Sequence, residues 1–124
     1  MTIPVDAIYK LEELIRKEKF GEETSSSYPP LGYTGLGDKS LTEPLTALIN
    51  QSAVDFITVA RTSATEANFQ NAIKVGLDRF SENYSNLDTE DRERICDYYE
   101  QMMDYVELEN SGGHLNTWLY LVHN

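Results

Sequence analysis

The chain has 124 residues and a formal net charge of −11, because 21 acidic residues stand against only 10 lysines and arginines. This length fits a single domain over residues 1–124, with a core that needs no disulfide or metal. The negative field repels nucleic acid and anionic lipid, so neither is an expected partner. No apolar run approaches the roughly 20 residues that span a bilayer. The single cysteine and an N-terminus without a signal pattern predict a cytoplasmic location.

The first predicted element is a helix over about residues 2–20, with Thr2 as its cap. Two oppositely charged pairs at i,i+4 spacing are expected to stabilise it: Glu12–Arg16 and Glu13–Lys17. Residues 21–40 follow as a long crossover loop, since Pro29-Pro30 and several glycines exclude a regular helix there. Four apolar or aromatic side chains are expected to tether this loop to the helices: Tyr28, Leu31, Tyr33 and Leu36.

Part of this loop is similar to the phosphate-binding motif G-x-x-x-x-G-K-S. The stretch from Gly32 to Ser40 lacks the apolar strand that should precede such a motif. Asp38 also intrudes before Lys39, where phosphate oxygens would lie. We therefore interpret the glycines as turn formers and expect no nucleotide site.

The most apolar stretch runs from Pro44 to Ala60 and carries Asp55 as its single charge. Its apolar residues recur at helical spacing and form a broad face: Leu45, Leu48, Ile49, Ala53, Phe56, Ile57 and Ala60, widened by Val54 and Val59. A helix with so wide an apolar face is covered by several neighbours. This stretch is therefore the predicted central helix, beginning at Thr42 as its cap.

A third helix is predicted from Thr65, with Gly76 marking a close approach to another helix. A fourth is predicted from about Thr89 to Leu108, and a short fifth begins near His114. The predicted fold class is all-α: a four-helix antiparallel bundle with a long first crossover loop and a short C-terminal helix.

Five carboxylates fall along one line of the fourth helix, opposite its apolar stripe: Glu93, Asp97, Glu100, Asp104 and Glu107. Like charges at this spacing destabilise a helix, and a merely solvated face usually interleaves lysines. Tyr98 and Tyr105 flank the line as expected interface anchors. The pattern predicts a non-enzymatic module that binds a basic protein partner. The alternative reading is a solvated face whose two tyrosines reach the core.

A different class of function is also open: a small-molecule-binding or enzymatic domain with a pocket under the 21–40 loop. That pocket would be lined by aromatic residues and one histidine: Tyr28, Tyr33, His114 and Trp118. No catalytic residue, metal ligand set or cofactor is predicted. Cys96 has acidic neighbours that raise a thiol pKa, so it is interpreted as a half-buried structural cysteine.

The tail Gly112-Gly113-His-Leu-Asn-Thr-Trp-Leu-Tyr resembles the end of a family of small uncharacterised bacterial helical proteins that carry a domain of unknown function. That resemblance implies a bacterial helical domain without known active residues. The stretch Asp97-Tyr98-Tyr99-Glu100 is loosely similar to acidic immunity proteins, which present tyrosines among carboxylates to block nuclease toxins. This second resemblance implies an immunity-type inhibitor.

Overall fold

The computed structural model describes residues 1–21 and 33–121, and those residues form helices and turns without any strand. Five α-helices occur among them: α1 (Ala7–Arg16), α2 (Thr42–Thr62), α3 (Glu66–Asp78), α4 (Thr89–Val106) and α5 (His114–Leu119). Two 3₁₀ turns, Lys39–Leu41 and Ser81–Asn86, precede α2 and α4. The all-α class is confirmed, whereas the antiparallel four-helix arrangement stays a prediction.

Helix α2 lies at the centre of the fold, since it contacts α1, α3 and α4. The side that it buries is formed by six residues: Leu45, Ile49, Ser52, Ala53, Phe56 and Ile57. The predicted widening of this side is wrong at Val54, which is 43% exposed, and Val59 is only half-buried. Val54 lies about 200° around the helix from Phe56, so it points away from the packed neighbours.

Helix α1 is shorter than predicted. It begins at Ala7 after Asp6 rather than near Thr2, and it ends at Arg16, where the next residue turns to extended backbone. The two predicted ion pairs at i,i+4 spacing do not form among the described residues. Instead, Lys10 pairs with Asp6 at 3.4 Å. The helix thus buries one narrow stripe, Ala7, Leu11 and Leu14.

The predicted close approach at Gly76 is confirmed. Behind Gly76, the hydroxyl groups of Ser52 on α2 and Tyr99 on α4 are hydrogen-bonded at 2.7 Å, and both side chains are fully buried. A Cβ atom at position 76 would overlap both hydroxyl oxygens. The three longest helices therefore meet at a point where only glycine fits without displacement.

The capping hydrogen bonds of α3 and α4 confirm where the sequence predicts these two helices to begin. The Thr65 side chain accepts a hydrogen bond from the Asn68 N–H at 3.1 Å, so the predicted cap of α3 is confirmed. Helix α4 begins at Thr89 as predicted, and Asp88 caps it. Asp88 accepts from the Asp91 N–H at 2.8 Å, and Asp91 accepts from the Asp88 N–H at 3.3 Å. This reciprocal pair is a capping box.

The near-match to a phosphate-binding loop forms a local turn instead. Asp38 accepts hydrogen bonds from the Ser40 N–H at 3.0 Å and the Ser40 hydroxyl at 2.6 Å. Lys39 donates to the Thr34 carbonyl oxygen at 2.7 Å. Both charged side chains are therefore engaged within the turn. The turn runs directly into α2, so the predicted role of Thr42 as N-cap is wrong and Thr42 is the first helical residue.

Candidate functional site

The row of carboxylates predicted on α4 is present on the surface. Glu93, Asp97, Glu100, Asp104 and Glu107 are all exposed, and the first four lie on α4 itself. From Glu93 to Asp104 the row extends about 16 Å at the α-helical rise. Glu107 follows the helix as its C-cap, in a left-handed conformation with φ 58°. We call these five residues the acidic face.

Among the described residues, no lysine or arginine forms an ion pair with Glu93, Glu100 or Asp104. The last turn of α4 contains no basic residue. The two arginines at its start contact aromatic rings: Arg92 stacks on Tyr84 at 4.0 Å and Arg94 on Tyr33 at 4.5 Å.

The flanking tyrosines do not join the acidic face. Tyr98 is 7% exposed, and its hydroxyl oxygen accepts a hydrogen bond from the Phe20 N–H at 2.7 Å. The two rings meet edge to face with centroids 5.2 Å apart. The prediction of Tyr98 as an exposed anchor is therefore wrong, because the segment after α1 covers that flank of α4. Tyr105 is half-buried and lines a groove beside α1.

The predicted aromatic pocket is not assembled by the described residues. Tyr28 lies outside them. Tyr33 is buried near the start of α4, whereas His114 and Trp118 line a small cavity of about 150 Å³ with Lys74 of α3. The Trp118 ring packs edge to face on Tyr84 at 5.2 Å. The structure thus places Tyr33 and Trp118 in different surroundings, and a pocket under the 21–40 loop stays a prediction.

A buried carboxylate, Asp91, organises the start of α4. It is 1% exposed and accepts hydrogen bonds from the Tyr33 hydroxyl at 2.9 Å and the Gly37 N–H at 3.4 Å, besides its capping bond from Asp88. Because these donors surround it, Asp91 fixes the segment after the loop against α4. Leu36 is buried as well, so the predicted tethering holds for Tyr33 and Leu36.

The sequence reasoning missed this role of Asp91. The signal that could have indicated it is the spacing of Asp88 and Asp91, which matches an acidic capping pair directly before an apolar-periodic helix.

Cys96 is 4% exposed, so it is more deeply buried than the predicted half-buried position. Burial and the nearby charges of Glu100, Asp97 and Glu93 raise the pKa of its thiol to about 12. Such a thiol stays protonated at neutral pH and is a poor nucleophile. Among the described residues, no group of three or more His, Cys, Asp or Glu side chains could hold a metal ion. No described helix is both long and apolar enough to cross a membrane.

The chain belongs to the DUF4844 family, a domain of unknown function that matches residues 2–123. It is also similar to the crystal structure of a DUF3571 family protein from Acinetobacter baumannii AYE, with 28% sequence identity and a TM-score of 0.78. That similarity covers 92% of this chain and 88% of the other. No curated protein matches the chain. Neither comparison tests the predicted tail motif or the likeness to immunity proteins, and both stay predictions.

Proposed function

We propose that this DUF4844 domain is a non-enzymatic interaction module that binds a basic protein through the acidic face of α4. The observation that carries the proposal is the row of exposed carboxylates, in which Glu93, Glu100 and Asp104 have no basic partner among the described residues. A bound protein with lysines and arginines at a similar pitch would supply the missing positive charge.

The acidic face lowers the stability of α4, which supports a role outside folding. Each like-charge pair at i,i+3 or i,i+4 costs about 0.2–0.5 kcal/mol on an isolated helix. Asp104 lies in the last turn, where the helix dipole is negative and an acidic side chain is unfavourable. Surfaces that serve only solubility need no such alignment, because scattered charges of both signs are sufficient.

The expected contribution of the acidic face is mainly to the association rate. In a chain with net charge −11, the aligned carboxylates strengthen a long-range field that attracts a basic protein. Electrostatic steering of this kind raises the association rate at low salt and is screened as ionic strength rises. In its more specific form, the proposal is an immunity-type inhibitor of a basic toxin.

The test uses three immobilised proteins: wild type, Glu100→Gln/Asp104→Asn, and a control with the same change in net charge, Glu12→Gln/Glu66→Gln. All four positions are exposed, so the substitutions should leave the fold unchanged, which circular dichroism verifies. Partners are captured from an extract of the source cell. The most enriched basic protein is then purified, and its association rate with each immobilised protein is measured at about 20 and 150 mM salt.

We expect the acidic-face variant to associate about tenfold more slowly than the wild type at low salt, with a smaller difference at high salt. The control should lose much less, because its removed charges lie on α1 and α3. Equal association rates for the two variants, or an empty wild-type capture, would refute the proposal. Tyr98→Ala is unsuitable as a probe, since it removes a buried ring and leaves the Phe20 N–H without its acceptor.

A further inference from the structure

A groove beside α1 has a positive charge, opposite in sign to that of the acidic face. Helix α1, its C-cap Lys17 and Tyr105 of α4 border an open groove of about 420 Å³. It is lined by six residues: Lys10, Glu13, Leu14, Arg16, Lys17 and Tyr105. We call this the basic groove. Its volume falls within the roughly 300–1,000 Å³ typical of small-molecule sites.

The groove concentrates positive charge in an acidic protein. Three of the chain's 10 basic residues line it, against the single carboxylate of Glu13. Lys10 is already paired with Asp6. Arg16 and Lys17 are both exposed, and neither forms an ion pair within residues 1–21 and 33–121.

A buried lysine, Lys19, lies two residues beyond Lys17 in the chain. Lys19 is 1% exposed, and its ammonium group donates to the carbonyl oxygens of Lys17 at 2.6 Å and Ile15 at 3.3 Å. These carbonyls lie at the C-terminal end of α1, where their partial negative charge would otherwise repel an anion. No carboxylate pairs with Lys19 in the described part of the chain. Burial, and to a lesser degree the charge of Lys17, lowers the pKa of Lys19.

We propose that the basic groove binds a small organic anion, with a phosphate or carboxylate group held by Arg16 and Lys17 and an apolar part against the half-buried ring of Tyr105. An arginine fork matches two oxygens of either anionic group, and a lysine adds a point charge. The Tyr105 ring provides the apolar contact area, whereas Leu14 is 2% exposed and belongs to the core beneath the groove. This site is separate from the acidic face and does not depend on the proposed protein partner.

The test is a titration of the full-length ¹⁵N-labelled protein, followed by NMR at low salt. The probes are phenyl phosphate, inorganic phosphate and phenol. Phenyl phosphate carries both parts of the proposed ligand, inorganic phosphate carries only the anion, and phenol carries only the ring. Phenyl phosphate should shift the amide signals of residues 10–19 and Tyr105 in a saturable manner. Inorganic phosphate should bind several-fold more weakly, and phenol should cause no saturable shift.

Three variants locate the site. Arg16→Gln and Lys17→Gln should each weaken phenyl phosphate binding about tenfold, as expected for the loss of one charge-assisted hydrogen bond. Lys74→Gln is the control, because Lys74 is exposed on α3 and paired with Asp78, and it should bind like the wild type. The proposal is wrong if the shifts are scattered over the surface, or if all three variants bind equally well.

Discussion

Replacing Gly76 with alanine should destabilise the protein, although alanine is the better helix former. The methyl group would overlap the Ser52 hydroxyl oxygen and the Tyr99 hydroxyl oxygen, and it would lie 3.2 Å from Tyr99 Cζ. Neither side chain has space to withdraw, because both are fully buried between α2, α3 and α4. Accommodating the methyl group requires these helices to separate or the hydrogen bond between the two hydroxyl groups to break.

The magnitude follows from three opposing effects. Alanine gains about 1 kcal/mol of helix propensity over glycine in α3. Overpacking a filled core costs about 1–3 kcal/mol. Loss of the buried bond between Ser52 and Tyr99 costs about 1 kcal/mol more. The net expectation is a decrease of about 1–3 kcal/mol in the free energy of unfolding, measured by urea denaturation with circular dichroism.

A double-mutant cycle separates crowding from other effects of the substitution. In the background Ser52→Ala/Tyr99→Phe, both overlapping oxygens are absent and only the contact with the ring of residue 99 remains. Gly76→Ala should therefore cost at least about 1 kcal/mol less in that background than in the wild type. The reasoning is refuted if Gly76→Ala raises the stability of the wild type, or if its cost is the same in both backgrounds.

Three further changes test other parts of the fold by urea unfolding. Phe56→Ala should destabilise by about 3–5 kcal/mol, because Phe56 is fully buried with its ring 5.1 Å from that of Phe69, and an unchanged midpoint would contradict the central position of α2. Glu107→Gly should stabilise the protein by about 1 kcal/mol, because the backbone at position 107 has φ 58°, which strains a residue with a Cβ atom. The control Glu109→Gly, at an exposed position, should not stabilise the protein. The pKa of Lys19 is lower in the folded protein than the ordinary value of 10.5. As the pH rises towards 10.5, the unfolded chain therefore keeps a proton on Lys19 that the folded protein loses, so Lys19 makes the free energy of unfolding increase with pH. Lys19→Met should remove that increase, and parallel pH profiles for variant and wild type would contradict it.

Signals that act within a few residues predicted the structure well. The cap at Thr65 and the start of α4 at Thr89 depend on neighbours three residues away, and both are confirmed. Gly76 was informative because a glycine within an apolar-periodic helix weakens it unless packing requires the small residue. Thr2 failed as a cap because α1 begins only at Ala7, after a turn over residues 5 and 6.

Exposure on α4 could not be predicted from periodicity, because it depends on what covers each flank. Tyr98 is covered by Phe20, which is 78 positions away in the chain and adopts a left-handed backbone with φ 60°. That conformation is uncommon for a residue with a Cβ atom, so nothing local indicated it. The carboxylates are exposed as predicted, because charged side chains rarely become buried without partners.

Helix α4 borders two surfaces of opposite charge, because it carries most of the acidic face and its Tyr105 lines the basic groove of α1. Phe20 covers Tyr98 of α4, and the end of α1 brings Arg16 and Lys17 beside Tyr105. Because the acidic face and the basic groove use different residues, the two proposals can fail independently. Glu100→Gln/Asp104→Asn should leave phenyl phosphate binding intact or slightly stronger, since it removes repelling charge. Arg16→Gln should likewise not slow the association of a basic protein, because it makes the field more negative.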